Sequence, residues 1–470
     1  MTATKKRTTD FTDGPLFFRI FIYTLPIMAT GLLQILYNTA DNIVVGRFSG
    51  DDLALAAVGS TTGLSALITN FLLGIGGGAS IMVAQMYGAK NYDGVKRAAH
   101  TIVTFSMIGG VLFCALGLSV SRPALTLMGT KPELMDNALL YLRLICLGIP
   151  ASAVYNFGAG ILRATGDSKT SLNILSFSGL LNVVLNLIFV IVFDMSVAGV
   201  AIATITSQYV SATRIIVYLV RRKNECFGIR FSELRIDKRM LLTIFRYGIP
   251  TGINSSMYSL SAVFMSTAIN TLPTAAVSAR TIANNIDQMC HTTIASFSST
   301  ALTVTGQNFG AKKPERIKKA LFYMLIQVAA CGILIGQTLL LFSDNIASLF
   351  IDSANPSADQ ILAFTVQVLS LTLATSFING TWQMLSGALR GMGYSITSML
   401  TAILGACVFR ILWITFVFPL KPMNNILGLY TMFPISWILT GIMLSVALLI
   451  AYRKLLKEVN QTETLGQNQI

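Results

Sequence analysis

Charge is scarce in this chain. Asp, Glu, Lys and Arg make up 11% of its 470 residues, where a soluble domain carries about 25%. Histidine is scarcer, with His100 and His291 the only two. The six cysteines (114, 146, 226, 290, 331, 407) form no CxxC pair and no ligand spacing, so they are expected as free thiols acting as small hydrophobes. Without clustered acids or neighbouring histidines, the nucleophile–base pair or metal cluster of an enzyme has no residues to draw on, and no enzyme and no cofactor are expected. Alternating polar and apolar strands are lacking too, which excludes a transmembrane β-barrel. No cleavable signal sequence is expected ahead of the first apolar run.

What the chain has is apolar length. Hydrophobic residues reach 53% and mean hydropathy is +0.67. At about 20 residues per span, this length predicts an all-α polytopic membrane protein of about twelve transmembrane helices. The runs fall near 17–45, 53–78, 96–120, 132–162, 171–193, 197–220, 241–268, 275–306, 317–342, 358–389, 396–420 and 426–453. The net charge of +14 does not indicate nucleic acid, because the basic residues cluster in short segments between apolar runs. Lys5, Lys6 and Arg7 precede the first run, and Arg221, Arg222, Lys223, Arg230, Arg235, Lys238 and Arg239 follow the sixth. Asp51, Asp52, Asp194, Asp344, Asp352 and Asp359 mark the opposite set of loops. The positive-inside rule then places both termini in the cytoplasm and the protein in the cell membrane, the inner membrane of a bacterium.

The two halves repeat. Pro26 in FIYTLP matches Pro250 in FRYGIP, an offset of 224 (250 − 26). Gly88 in QMYGAK matches Gly310 in QNFGAK at 222 (310 − 88), and Arg163 in LRATGDS matches Arg390 in LRGMGYS at 227 (390 − 163). An even number of spans per repeat gives parallel repeats of like orientation. The expected organisation is a cytoplasmic tail (1–14), an N-lobe of six spans (15–220), a cytoplasmic linker (221–240), a C-lobe of six spans (241–457) and a cytoplasmic tail (458–470). The linker's pattern of Phe227, Ile229, Phe231, Leu234 and Ile236 fits either a surface-lying segment or a solvated basic connection. The Gly74, Gly76, Gly77, Gly78 run lacks the lysine of a phosphate loop and points to close helix packing.

Within the first run, Gln34, Tyr37 or Asn38, and Asp41 share one helix face. A carboxylate in mid-membrane costs about 2.5–3.5 kcal/mol even on the gentler insertion scale, so it needs a polar cavity, a partner or an ion. Pro26 lies about four turns earlier and is a candidate hinge. The eighth run carries a second polar stripe of Asn284, Asp287, Gln288 and His291, a candidate substrate surface. Arg410, in the eleventh run, is a candidate partner for Asp287. The repeat puts Met265, not an acid, opposite Asp41 (41 + 224), so the halves are not chemically equivalent.

Taken in order, these motifs resemble the multidrug and toxic compound extrusion (MATE) family from Phe17 to Lys457. The resemblance implies two six-helix lobes forming a V. It implies a secondary antiporter that exports organic, often cationic, amphipathic compounds in exchange for protons or sodium. It also implies that Asp41 acts with Asn182, Asn186 and Thr204 in cation or proton coupling, with Na+ as the candidate metal at those four residues. Gln34, Tyr37 and Asn156 would line the first-lobe substrate cavity. Some members carry an acid where Asn186 stands. Its absence here leaves one formal charge, which keeps a proton on Asp41 as open as a sodium ion. Expected partners are small-molecule drugs or metabolites and the lipid bilayer, with no nucleic acid, and the protein is expected as a monomer. The alternative is a flippase of a lipid-linked oligosaccharide on a similar two-lobe plan. It would need several intramembrane cations, and Arg410 is the main deep one.

Overall fold

The computed structural model describes residues 8–48, 54–351 and 356–467. The expectations placed on Lys5, Lys6, Arg7, Asp51, Asp52 and Asp352 lie outside the described residues. Every regular element among the described residues is helical. In chain order these are α1 (Phe17–Phe48), α2 (Ala54–Gly88), α3 (Tyr92–Leu127), α4 (Pro132–Ala164) and α5 (Ser168–Val192). Then come α6 (Ser196–Arg221), α7 (Lys238–Ile269), α8 (Thr274–Gly310) and α9 (Pro314–Leu341). The last are α10 (Ala358–Ala374 with Ser376–Gly391), α11 (Ser395–Val417) and α12 (Met432–Gln467).

Nine of the described helices are long and apolar enough to cross a membrane, or ten if the two segments of α10 count as one span. The two long helices outside that count are α7 and α8, at 32 and 37 residues. Length is not what they lack. Lys238, Arg239 and Arg246 dilute α7, and α8 carries Arg280, Asp287 and many Ser, Thr and Asn residues. Such groups are tolerated at membrane depth when they face protein or a polar cavity. The 46° bend in α10 falls at Thr375, whose hydroxyl donates to the Leu371 carbonyl at 2.6 Å. Back-bonding of this kind bends helices without proline.

The chain divides into two compact units. The first holds Met1–Asp10 and Ala29–Gly252, and the second holds Phe11–Met28 and Ile253–Ile470. Helix α1 therefore begins in the second unit and ends in the first, while α7 does the reverse. The two changes of membership, after Met28 and after Gly252, are separated by 224 residues (252 − 28), the same offset as Pro26 and Pro250.

In the first unit, Ile75, Met82, Ile102, Phe157, Ile161, Ile215 and Ile244 build the largest apolar core. The glycine run sits at its closest approach. A Cβ on Gly74 or Gly78 of α2 would overlap the backbone of Gly252 or Gly248 of α7, whereas Gly76 faces the Phe157 ring. The segment after α6 closes over this core. Phe227 and Ile229 are fully buried, and one 3-10 turn (Phe231–Glu233) follows. The Arg230 N–H donates to His100 Nε2 (3.1 Å) and the Asp237 N–H to Thr101 Oγ1 (3.1 Å). Lys96, 3.0 Å from Glu233, holds that carboxyl below its usual range, and Arg230 adds to the effect. The linker is a packed strap over its first half, with its basic residues on the outer side.

In the second unit, Phe11, Ile20 and Tyr23 join Phe297, Val304, Met324 and Leu389 in one core. The repeated motifs are turns that end helices. Lys90 and Lys312 both take left-handed backbone (φ 57° and 53°), as do Gly166 and Gly393 (φ 89° and 90°). Asp167 caps α5, accepting from the Thr170 N–H at 3.0 Å and from the Tyr218 hydroxyl at 2.9 Å. Gln307 Oε1 accepts the Phe11 N–H at 2.9 Å.

Gly74→Leu and Gly78→Leu are expected to be the most damaging changes in the glycine run, because the obstacle at both is backbone rather than a movable side chain. Overpacking typically costs about 1–3 kcal/mol. A thermal melt in detergent followed by size exclusion should show a clear loss of stability for Gly78→Leu and a smaller one for Gly77→Ala.

Candidate functional site

Three helices of the first unit converge on Asp41. Its carboxylate accepts from Asn186 Nδ2 of α5 at one oxygen and from the Thr204 hydroxyl of α6 at the other, the latter at 3.4 Å. Asn182, one turn before Asn186, donates Nδ2 to Thr204 Oγ1 at 3.3 Å and accepts from Asn186 Nδ2 at 3.4 Å. Asn182 and Asn186 share a face because they are i, i+4 on α5. The helix then widens to π geometry over Ile188–Val192, immediately past Asn186. Such π-segments recur at functional sites. The four residues expected from the sequence to act together are thus brought into one hydrogen-bonded group.

The surroundings make that group consequential. Val44, Val45, Val190, Val197 and Val200 form a buried apolar cluster, with Tyr141 packed against it. Tyr141 is also close enough to Asp41 to interact with its charge. Asn186 is fully buried, and its Oδ1 has no hydrogen-bond partner among the described residues. A buried amide oxygen left over beside a carboxylate, two further side-chain oxygens and an apolar wall fits a small hard cation or a proton as the group's visitor.

The neighbouring sequence candidates are placed differently. Tyr37 lies with its ring against Gly179, where any Cβ would overlap it, and its hydroxyl donates to the Ser176 carbonyl at 3.2 Å. Gln34 and Asn38 are exposed on α1. Asn156 turns back on its own helix, donating to the Ser152 carbonyl at 2.9 Å. Pro26 is buried within an unbroken α1, two residues before the helix changes unit.

The second unit holds a cavity of about 130 Å³. Asn284, Asp287 and His291 of α8 line it, and Arg410 of α11 lines it too. Gln288 does not line it; that side chain is exposed and donates to Thr292 on α8 at 3.3 Å. His291 meets Gln383 (3.3 Å), which donates to Asn379 Oδ1 (2.9 Å), and Trp382 Nε1 donates to the same oxygen (3.0 Å). Met265, the repeat counterpart of Asp41, is buried in an apolar core.

The sequence reading missed Tyr141, Asn379, Trp382 and the aromatic face of Tyr430, Phe433 and Trp437. That face was visible as i, i+3, i+7 spacing. Asn379, Trp382 and Gln383 likewise sit at i, i+3, i+4. Tyr141 offered little signal, because its one polar neighbour at helical spacing, Asn137, is not an acid or a base.

Comparison with known proteins agrees with this layout. A family profile described as MatE matches residues 26–188 and again residues 250–415. The chain belongs to the MATE family. Its two matched segments begin at Pro26 and Pro250, the anchors of the internal repeat. The chain is 28% identical to the probable multidrug resistance protein YoeA of Bacillus subtilis, over 79% of this chain and 80% of that one. It is 23% identical to the multidrug export protein MepA of Staphylococcus aureus, over 89% and 90% of the two chains. A solved structure described as the outward-facing conformation of a multidrug resistance MATE family transporter superposes with a TM-score of 0.88. That match covers 97% of this chain and 99% of the other at 23% identity. This MATE chain is a multi-pass membrane transporter of small molecules and not an enzyme.

A double-mutant cycle tests the Asp41 group. Asn186→Ala should lower the melting temperature, since a half-buried carboxylate loses a donor, at a cost of about 1–3 kcal/mol. Asp41→Asn with Asn186→Ala should cost less than the sum of the single changes, with coupling of about 0.5–3 kcal/mol. Additive losses would mean that the two side chains are energetically independent.

Proposed function

We propose that this MATE protein is a secondary antiporter. It exports amphipathic, often cationic, organic compounds across the cell membrane in exchange for protons or sodium, with both termini in the cytoplasm. The observation that supports this most is the Asp41 group: a carboxylate in an apolar wall, held by Asn186 and Thr204, beside the leftover Oδ1 of Asn186. The names of the related multidrug export proteins support the substrate class.

The coupling step follows from that arrangement. While Asp41 is charged, it accepts from α5 and α6 and ties the second half of α1 to them. Proton uptake removes one acceptor site. Sodium uptake competes for the same oxygens and draws in Asn182 Oδ1, Thr204 Oγ1 and, after an amide turn, Asn186 Oδ1. Either event loosens α1 from its neighbours, and Pro26 is where the helix lacks a backbone bond and bends at least cost. Two conformations with different affinity for the ion then exchange substrate for ion. Contacts with these compounds are assigned to Gln34, Tyr37 and Asn156 in the first unit, while Asn284, Asp287 and His291 of the second line a separate, smaller cavity. The flippase alternative gains no specific support from either unit.

In a pump-deficient bacterium, the protein should lower accumulation of a cationic dye. Asp41→Asn should return accumulation to the vector level at unchanged expression, and normal pumping by that variant would refute the coupling role. Vesicles given a sodium gradient with the pH gradient collapsed separate the ions: continued export excludes a proton-only cycle. Asn186→Asp, which adds a second carboxylate, should lower the sodium concentration needed for half-maximal transport if sodium is the ion.

A further inference from the structure

The cavity of the second unit has a charge pattern that a purely cationic cargo does not explain. One acid, Asp287, and one base, Arg410, both line it. Thr372 lines the cavity too, its hydroxyl donating to the Val368 carbonyl at 3.2 Å, and Arg410 is fixed by its own neighbours. Arg410 donates Nε to Ser436 Oγ at 3.1 Å and its guanidinium lies over the Phe433 ring at 4.5 Å. A lone organic cation entering here meets a fixed guanidinium of its own sign, and a lone anion meets a carboxylate. In a site with little water, like-charge contact is strongly unfavourable.

Size narrows the class further. The cavity measures about 130 Å³, below the roughly 300–1,000 Å³ of pockets that take drug-sized molecules. One part of its wall is aromatic, formed by Trp382, Tyr430, Phe433 and Trp437, and the rest mixes small or apolar residues with the polar Asn284, His291 and Asn379. A guanidinium fork matches a planar carboxylate, and a carboxylate between aromatic rings matches an ammonium.

We infer that this cavity binds a compact zwitterion of the α-amino-acid type, its ammonium at Asp287, its carboxylate at Arg410 and its side chain against the aromatic wall. The inference rests on the export reading and gives it a second, small-metabolite cargo class, separate from the larger amphipathic compounds.

The molecule carries its own reporter. Trp382, Trp413 and Trp437 are the only tryptophans in the chain, and two of them line the cavity. The test titrates full-length Trp413→Phe protein in detergent with L-alanine, L-leucine, leucine methyl ester and N-acetyl-leucine, reading tryptophan emission. Alanine and leucine should change emission saturably. The ester, which lacks the carboxylate, and the acetyl derivative, which lacks the ammonium, should bind at least tenfold more weakly. Asp287→Asn and Arg410→Gln should each abolish the response, and Arg410→Lys should keep a weakened one. Flat emission with both amino acids overturns the proposal. So does an ester that binds as tightly as leucine, which would mark the cavity as a plain cation site. The ligand arms decide the matter even if a variant fails to fold. Dye efflux from cells is read in parallel: efflux with flat emission removes the zwitterion site and leaves export standing, whereas a saturable signal without efflux removes export and leaves the site.

Discussion

A carboxylate placed in an apolar wall has to be held by something, and much of the first unit can be understood as the means of holding Asp41. Two helices supply one donor each, Asn186 from α5 and Thr204 from α6. Asn182 ties those two together. The valine cluster beside them keeps the contacts strong by keeping water out. The same constraint explains why the group is incomplete. Asn186 can give its amide hydrogens to Asp41 only by leaving its own oxygen buried without a partner. A site so arranged has a reason to admit a cation.

The repeat sets the frame but not the chemistry. Lys90 and Lys312, and Gly166 and Gly393, share left-handed backbone at equivalent turns, so the two halves build their helix ends alike. Helices α5 and α11 both pass into π geometry, over Ile188–Val192 and Trp413–Val417, again at equivalent places. Yet the acid of the first unit is on α1 and that of the second on α8, and Met265 occupies the core position opposite Asp41. One scaffold duplicated, then two different polar interiors, is what a transporter needs if ion and substrate are handled by separate side chains.

Much of this was legible in the sequence because membranes simplify the code. Continuous apolar runs bounded by basic segments give helix number and order, since only fully hydrogen-bonded helices survive in hydrocarbon. Asp41 was legible because acids are rare in such runs, and its company of Asn182, Asn186 and Thr204 was legible through the resemblance to the family. The placement of Gln288 and Asn156 was not. A helix face is about 100° wide, and spacing alone does not say whether an amide reaches outward or folds back on its own turn, as Asn156 does on Ser152. Nor did spacing show which apolar residues of the segment after α6 pack inward: Phe227 and Ile229 are buried, whereas Phe231 and Ile236 stay exposed. The aromatic wall of the second cavity was missed for the opposite reason: its i, i+3, i+7 spacing is present, but aromatic residues in an apolar run look like ordinary filling.

The exchange of α1 and α7 between units bears on how the protein is made. Neither unit is a continuous stretch of chain. The first reaches its full set of helices only when Lys238–Gly252 has been synthesised, well past its own sixth helix. Phe11–Met28 belong to a core whose other members, Ile294 to Leu455, are synthesised more than 260 residues later (294 − 28 = 266). The opening segment must therefore wait in the bilayer, with Thr24 and Tyr23 lacking the Thr300 and Thr303 hydroxyls they later meet. A chain cut at the linker yields two pieces that each lack part of their own interior, so assembly of this fold is a property of the whole polypeptide and not of either half.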